Sequence, residues 1–179
     1  LYLTGADIEL LAGNHDIRTY LGIYYAESKE PLLDHLFVRM GKKSVPLLKE
    51  IFDEYLADNQ DQPYLLDDTA INELLYPSES WYEAFSLAAK KWMTKEKLEK
   101  ELRRIREKSV DFERRITEFG LDLVKVYAAV QKFRELFFEP DGRYYWFFKK
   151  MKLAHREGSY LFVHAGLDDV VAEMLYEQG

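Results

Sequence analysis

Hydrophobic and polar positions form two patterns along the chain: a short apolar run near each end, and helical spacing between them. Residues 7–12 are mostly apolar and stop at Gly13, which predicts a buried strand and then a turn that glycine permits. Residues 159–163 form the second apolar run, entered through Gly158 and left through Gly166. These two runs are the only segments that predict strands.

Almost all of the sequence between the two runs predicts helix. The exception is a polar, proline-containing stretch over residues 58–68, which predicts a loop. Helices are expected over residues 31–57 with breaks at Gly41 and Pro46, from Asp68 to before Pro77, from Ser78 or Ser80 to Met93, over Arg143–Glu157, and from Asp168 or Asp169 to about Glu177.

The longest helical pattern predicts a hairpin over residues 94–138 that turns at Gly120. One apolar stripe is Leu98, Leu102, Ile105, Phe112, Ile116 and Phe119, and the other is Leu123, Val126, Val130, Phe133 and Phe137. We expect the stripes to face each other in an antiparallel, coiled-coil-like seam, or to pack against a second copy in a homodimer. The charged run Lys95–Arg106 is then a solvated face rather than a nucleic-acid patch.

Composition narrows the class of protein. With 179 residues and 47% hydrophobic content the chain suits one domain, or one domain with a large insertion. A formal charge of −7 disfavours binding to nucleic acid. Because there is no cysteine, any metal must have nitrogen and oxygen ligands.

Targeting features are also missing from the sequence. No apolar run approaches the roughly 18 residues of a membrane span, and no basic-then-apolar leader is present. We therefore expect a cytoplasmic protein with no membrane partner. Since the chain begins at Leu1 rather than Met, we also expect it to start inside a longer protein.

Both apolar runs lead into side chains that can bind or work beside a metal. Asn14 offers a neutral amide oxygen, although an asparagine here could simply cap a helix. His15 could transfer a proton, or be an ordinary loop histidine. His164 follows the second run and precedes Ala165-Gly166, where it is a metal ligand or a satisfied core histidine.

Gly13-Asn14-His15-Asp16 and Val163-His164-Ala165-Gly166-Leu167 resemble two sequence blocks of the calcineurin-like metallophosphoesterases. The closest likeness is to the branch of Ser/Thr phosphoprotein phosphatases and diadenosine tetraphosphatases. The resemblance implies a parent αββα sandwich with two divalent metal ions, of which Mn, Fe and Zn are the candidates. It also implies hydrolysis of a phosphate ester by attack of a metal-bound hydroxide.

The same resemblance implies roles for individual residues. Asn14 and His164 would bind one metal, and His15 would be the general acid. Asp16 would act beside the metal ligands or as a favourable charge at a helix N-terminus.

Arg18 could reach a phosphate or face solvent. His35 and His155, in predicted helices without partners at ligand spacing, are expected to be structural.

Three further blocks of that family are absent: Asp-x-His and Gly-Asp-x-x-Asp-Arg before the first match, and Gly-His after the second. Two ligands cannot hold a pair of metals, so we expect an internal portion of an enzyme that is inactive by itself. Residues 1–16 and 158–179 would belong to the catalytic core. Residues 17–157 would be a large all-α insertion that acts as a cap or as a structural or oligomerisation element.

The sequence thus predicts an α/β fold: part of a metallophosphoesterase sandwich with most of this chain in the helical insertion. The predicted function is a metal-dependent phosphatase acting on a phosphorylated protein, nucleotide or small molecule. The alternative is a helical protein-interaction module on a catalytically inactive phosphatase-like scaffold.

Overall fold

A computed structural model of the chain describes residue 5, residues 7–59 and 66–166, and residue 173. The chain is mostly helical, as predicted. In chain order the elements of the described part are β1 (Leu10–Leu11), α1 (Asn14–Tyr24), α2 (Leu36–Met40), α3 (Val45–Tyr55), α4 (Asp68–Leu75), α5 (Glu79–Ala89), α6 (Lys95–Glu118), α7 (Leu123–Phe137), α8 (Trp146–Lys150), β2 (Met151–Lys152), β3 (Ala154–Glu157) and β4 (Tyr160–Val163).

The described residues between positions 14 and 150 form a helical body around an apolar core. Helix α7 packs on α3, α4 and α1, while α6 packs on α2, α3 and α5. Edge-to-face aromatic contacts help to join the helices, such as Phe37 of α2 against Phe112 of α6, with ring centroids 5.3 Å apart. The largest fully buried side chains are Phe37, Phe85, Phe112 and Phe133.

Local signals set the ends of the two longest helices. Thr94 Oγ1 accepts a hydrogen bond from Lys97 N–H at the start of α6. At its end Gly120 has φ of 68°, and Leu121 N–H donates to the Ile116 carbonyl, which is the Schellman arrangement. The next helix starts with an Asp122 cap. The predicted helices and their glycine turn are therefore confirmed.

The predicted seam between the two stripes is wrong. In the described part, α6 and α7 are not closely packed along their lengths. The apolar faces pack against other elements instead: Phe112 contacts Phe37 and Tyr76, and Phe133 contacts Phe148 of α8. The stripes identify buried residues but not the partners that bury them, since several short helices compete for the same faces.

Residues 7–13 and 151–166 form the strand end of the structure. Strand β1 pairs with β2 in parallel, with Leu10 opposite Met151, and β3 pairs with β4 as an antiparallel hairpin. The second predicted strand is confirmed as β4, and the first is confirmed only over its last residues. Neither strand is buried: Tyr160, Leu161 and Phe162 are exposed, and Leu10 and Leu11 are partly exposed.

The predicted helix over Arg143–Glu157 is confirmed only over Trp146–Lys150. Its second half forms β2 and β3, which also lie inside the range predicted as an all-α insertion. Gly158, with φ of 58°, closes a two-residue turn that lets Glu157 pair with Tyr160. Strand pairing therefore overrides a composition that favours helix.

Smaller differences concern other predicted elements. Residues 31–35 form turns rather than the start of a helix, and Asp67 rather than Asp68 caps α4. The last predicted helix, from Asp168 or Asp169 to about Glu177, falls outside the described residues except at residue 173. No helix in the described part has both the length and the apolar character needed to cross a membrane.

Candidate functional site

Gly13 joins β1 to α1 and places the polar side chains of the first block, Asn14 to Asp16, at a helix N-terminus. It is the N-cap residue, with φ of −88°, and its N–H donates to Asp16 Oδ2 at 2.8 Å. Asn14 is the first helical residue, and both it and His15 are exposed. Because a helix N-terminus attracts negative charge, this end of α1 is suited to face an anion.

The structure brings His164 to this same point. A Cβ placed on Gly13 would lie 2.8 Å from His164 Cε1 and 3.0 Å from its Nδ1. The sequence indicated that glycine was needed here for a turn, but its backbone angles are ordinary ones. Glycine leaves room for the imidazole, so the two blocks, about 150 residues apart in sequence, meet in space.

Asp16 lies beside the same gap. Its Oδ2 would be 3.0 Å from the same added Cβ, so the carboxylate and the His164 ring both border one small space at Gly13. The carboxylate also accepts the Gly13 N–H bond at the start of α1. Two roles were possible for Asp16 from the sequence, and this contact supports the one at the helix N-terminus.

His15 has a cationic neighbour. Its Nε2 lies 3.5 Å from Lys43 Nζ, in the short 3-10 turn Lys42–Ser44. Arg18, one helical turn further along α1, is exposed and makes no hydrogen bond or ion pair with the described residues. Lys43 and Arg18 give this face of α1 a positive character in a chain with a formal charge of −7.

The opposite face of α1 borders an aromatic cavity of about 440 Å³. It adjoins Asp16 and contains one cation, Lys149, whose Nζ lies 4.2 Å from the Tyr145 ring centroid. The other main lining residues are Ala12, Ile17, Tyr20, Tyr24, Phe137, Phe138, Phe148 and Met151. Helix α1 therefore separates an apolar cavity from a cationic surface.

The remaining histidines have other surroundings. His35 is buried against the rings of Trp81 and Phe85, and burial, then the charge of Arg39, lowers its pKa to about 4. His155 lies in β3, not in a helix as predicted, and stacks on Phe162 across the hairpin.

Glu9 forms a polar contact at the strand end. Its Oε2 is 2.7 Å from Lys152 Nζ, and its Oε1 is 4.0 Å from His155 Nδ1. The Lys152 hydrogen bond holds the pKa of the Glu9 carboxyl below its usual value. Within the described part of the chain, no three His, Asp or Glu side chains form a group that could hold a metal ion. The described residues therefore do not fit a complete metal centre.

Sequence reasoning missed the cations that the fold adds to this surface. Lys43 belongs to no motif and reaches His15 only because α2 folds back on α1. Arg39, Arg104 and Lys108 approach Arg18 from α2 and α6. Their shared location depends on tertiary packing, and the only hint in the sequence was the excess of Lys and Arg in α6.

Comparisons of the chain with protein-family models, with curated proteins and with solved structures gave no match. The site is therefore defined by its own geometry. That geometry consists of Gly13, the exposed start of α1, and the His164 ring packed against it.

Proposed function

We propose that this chain forms part of a metal-dependent phosphoesterase of the calcineurin-like class, within an αββα sandwich. The observation that carries the proposal is the packing of the His164 imidazole against Gly13. Both residues belong to the blocks that resemble this class. Two separate resemblances would have no reason to meet in space if each were accidental, because the intervening helices allow many other arrangements.

The proposal assigns Asn14 and His164 as ligands of one divalent metal. An amide oxygen and an imidazole nitrogen both suit Mn, Fe and Zn. Since the described residues hold no complete group, the other ligands of the two-metal centre would come from another segment of the protein. When bound, such metals supply positive charge and activate water for attack on phosphorus.

The chain's own residues would position and protonate the substrate. His15, exposed at the start of α1, would donate a proton from its ring to the leaving oxygen. Lys43 and the α1 N-terminus favour an anion at this surface. Asp16 would keep Gly13 and the start of the helix in place through the hydrogen bond to the Gly13 N–H.

The test uses the longer protein that carries the remaining ligands, with hydrolysis of a phosphate monoester and metal content both measured. We expect His15→Ala to lower kcat by about 100-fold or more with metal content unchanged, since a general acid contributes about 10²–10⁴-fold. His164→Ala should instead lower the metal content. His155→Ala is the matched control and should change neither quantity.

Loss of metal in His15→Ala, with activity per metal retained, would show that the two histidines have been assigned the wrong roles. Equal losses in His155→Ala would show that general damage to the strand end explains the results. A metal-loaded protein without any hydrolysis would contradict the proposed activity.

The second candidate is a helical interaction module on an inactive phosphatase-like scaffold. The observation in its favour is that three large apolar side chains of the helical body, Leu87, Trp92 and Val110, are exposed. Hydrolysis that depends on His15 would rule out this candidate. Its absence, together with association that Trp92→Ser and Leu87→Ser abolish, would support it.

A further inference from the structure

A small cationic cleft lies between α1, α2 and α6. Its volume is about 350 Å³, and its lining brings together side chains that are far apart in the sequence. Arg18 connects the cleft to the candidate site, because it follows Asn14 by one turn of the same helix, or about 6 Å along the axis. The charged lining residues are Arg18, Arg39, Glu101, Arg104, Glu107, Lys108 and Asp111.

Two of the three carboxylates in this cleft are already paired. Glu101, with a side chain 10% exposed, lies 2.7 Å from Arg39 Nη1. Asp111 lies 2.8 Å from Lys42 Nζ and 2.5 Å from Arg114 Nη2. Glu107 is the remaining carboxylate. These pairs account for Arg39, whereas the other cations of the cleft form no ion pair with the carboxylates that line it.

The other cations of the cleft are Arg18, Arg104 and Lys108. Within the described residues, neither Arg18 nor Arg104 makes a hydrogen bond or an ion pair. Lys108 is partly buried, and its Nζ donates to the Arg39 carbonyl at 2.9 Å. Burial, and then the charges of Arg18 and Arg39, lower the pKa of Lys108. Converging positive charges are unfavourable unless an anion joins them.

We propose that Arg18, Arg104 and Lys108 form a second anion subsite that binds a phosphate group of the substrate other than the one hydrolysed. Each guanidinium group can donate two parallel hydrogen bonds to two oxygens of one phosphate, and the Lys108 ammonium adds a compact positive charge. The ligand would be a small molecule with at least two phosphate groups, because the cleft is small and the chain as a whole is acidic. The link to hydrolysis rests on the proposed function, but the anion subsite itself does not.

The direct test is titration of the 179-residue chain with inorganic pyrophosphate by calorimetry, in metal-free buffer. We expect Arg18→Gln, Arg104→Gln and Lys108→Met each to weaken binding about five- to tenfold, through loss of a charge-assisted contact. Arg103→Gln is the matched control: it removes the same charge from an exposed position of the same helix outside the cleft. It should change the dissociation constant less than about twofold.

Glu107→Gln provides a test in the opposite direction. Removing the unpaired carboxylate from the cleft should strengthen pyrophosphate binding about two- to threefold. Higher salt should weaken binding to the wild-type chain and reduce the difference from Arg104→Gln. Melting temperatures of the variants establish that each is folded, and Arg104→Gln changes an exposed side chain.

Equal pyrophosphate affinity in Arg104→Gln and Arg103→Gln would overturn the proposal. Tighter binding of a short single-stranded oligonucleotide than of pyrophosphate, with the same dependence on Arg104, would also overturn it by identifying a nucleic-acid surface. Because the titration contains no divalent metal, a failure of the proposed phosphoesterase activity leaves this result unchanged. His164→Ala should accordingly keep wild-type pyrophosphate affinity.

Discussion

The helical body and the strand end differ in how they use their aromatic side chains. In the helical body Phe37, Phe112 and Phe133 are almost fully buried, and their rings pack against those of other elements. At the strand end Tyr160 and Phe162 are exposed although they lie in a paired hairpin. The first region therefore supplies stability through burial, and the second supplies backbone pairing that positions His164.

Helix α1 belongs to both regions, and this explains how the candidate site is held. Its C-terminal half is fixed to the body: Gly22 is buried against α2, and Arg134 of α7 donates to the Ile23 carbonyl. Its first turn extends to the strand end, where Asn14 and His15 are exposed. The body can thus keep the site in place although little apolar surface is buried at the site itself.

The largest expected difference comes from truncating one phenylalanine in each region. Phe133→Ala removes a side chain that is 1% exposed and should lower the free energy of unfolding by about 3–5 kcal/mol. Phe162→Ala, at a position 46% exposed, should cost less than about 1 kcal/mol. Urea unfolding of both variants measures the difference. Equal losses would show that the strand end is as important to stability as the body.

Acid should destabilise the body through His35. The folded pKa is about 4 and the unfolded value about 6.5, so the unfolded state binds the proton first as pH falls. The contribution of the neutral ring is fully present above pH about 6.5, and about 3 kcal/mol is lost by pH about 4. Asp34 gives a pH dependence of the opposite sign. Burial raises the pKa of its carboxyl more than the Lys29 contact lowers it, so its contribution to the stability of the folded state increases as pH falls.

The variant His35→Leu separates these two effects. It removes the titrating ring, and because His35 Nδ1 has no hydrogen-bond partner, no other buried group loses a partner through that atom. The free energy of unfolding, measured from pH 7 to pH 4, should fall more steeply in the wild type than in the variant. Parallel curves would show that His35 does not control acid stability.

Two glycines provide a matched comparison of the regions. In Gly22→Ala the new Cβ would lie 2.8 Å from Met40 Cβ and 3.0 Å from the Leu36 carbonyl, so helices must shift, at a cost of about 1–3 kcal/mol. In Gly13→Ala the new Cβ would instead meet the exposed ring of His164, and this side chain can move away. That variant should melt within a few degrees of the wild type but show displaced His164 ring signals in NMR spectra. Unchanged ring signals would contradict the contact at Gly13.

The smallest expected effects come from one ion pair in each region. Glu101→Gln in the body leaves Arg39 beside a largely buried amide and should cost about 1 kcal/mol. Glu9→Gln removes the exposed contact to Lys152 at the strand end and should leave the melting temperature almost unchanged. Thermal unfolding compares them, and a larger loss for Glu9→Gln would reverse the proposed contrast.

Sequence reasoning succeeded where the signals were local. Thr94 and Gly120 mark the ends of the longest helix, and the apolar spacing of α6 and α7 identifies Ile105 and Val130 as core residues. It failed where the outcome depended on distant partners. The segment after Lys150 has the composition of a helix but pairs with β1 and β4, and no local pattern shows this.

The same limit applies to the candidate site. The residues at the ends of the two apolar runs could be named from the sequence, since motifs are local. The contact of Lys43 with His15, and the convergence of Arg39, Arg104 and Lys108 on Arg18, could not be named. They arise where three helices cross, and their positions in the sequence have no common spacing.

The central claim is that the start of α1 and His164 form one metal-binding surface. The most direct measurement is paramagnetic broadening by Mn²⁺ of the backbone amide signals of the 179-residue chain. We expect weak binding that broadens Asn14 and His164 together at millimolar Mn²⁺, with both effects lost in His164→Ala. Broadening centred on Glu9 and His155, or unchanged Asn14 broadening in His164→Ala, would contradict the claim.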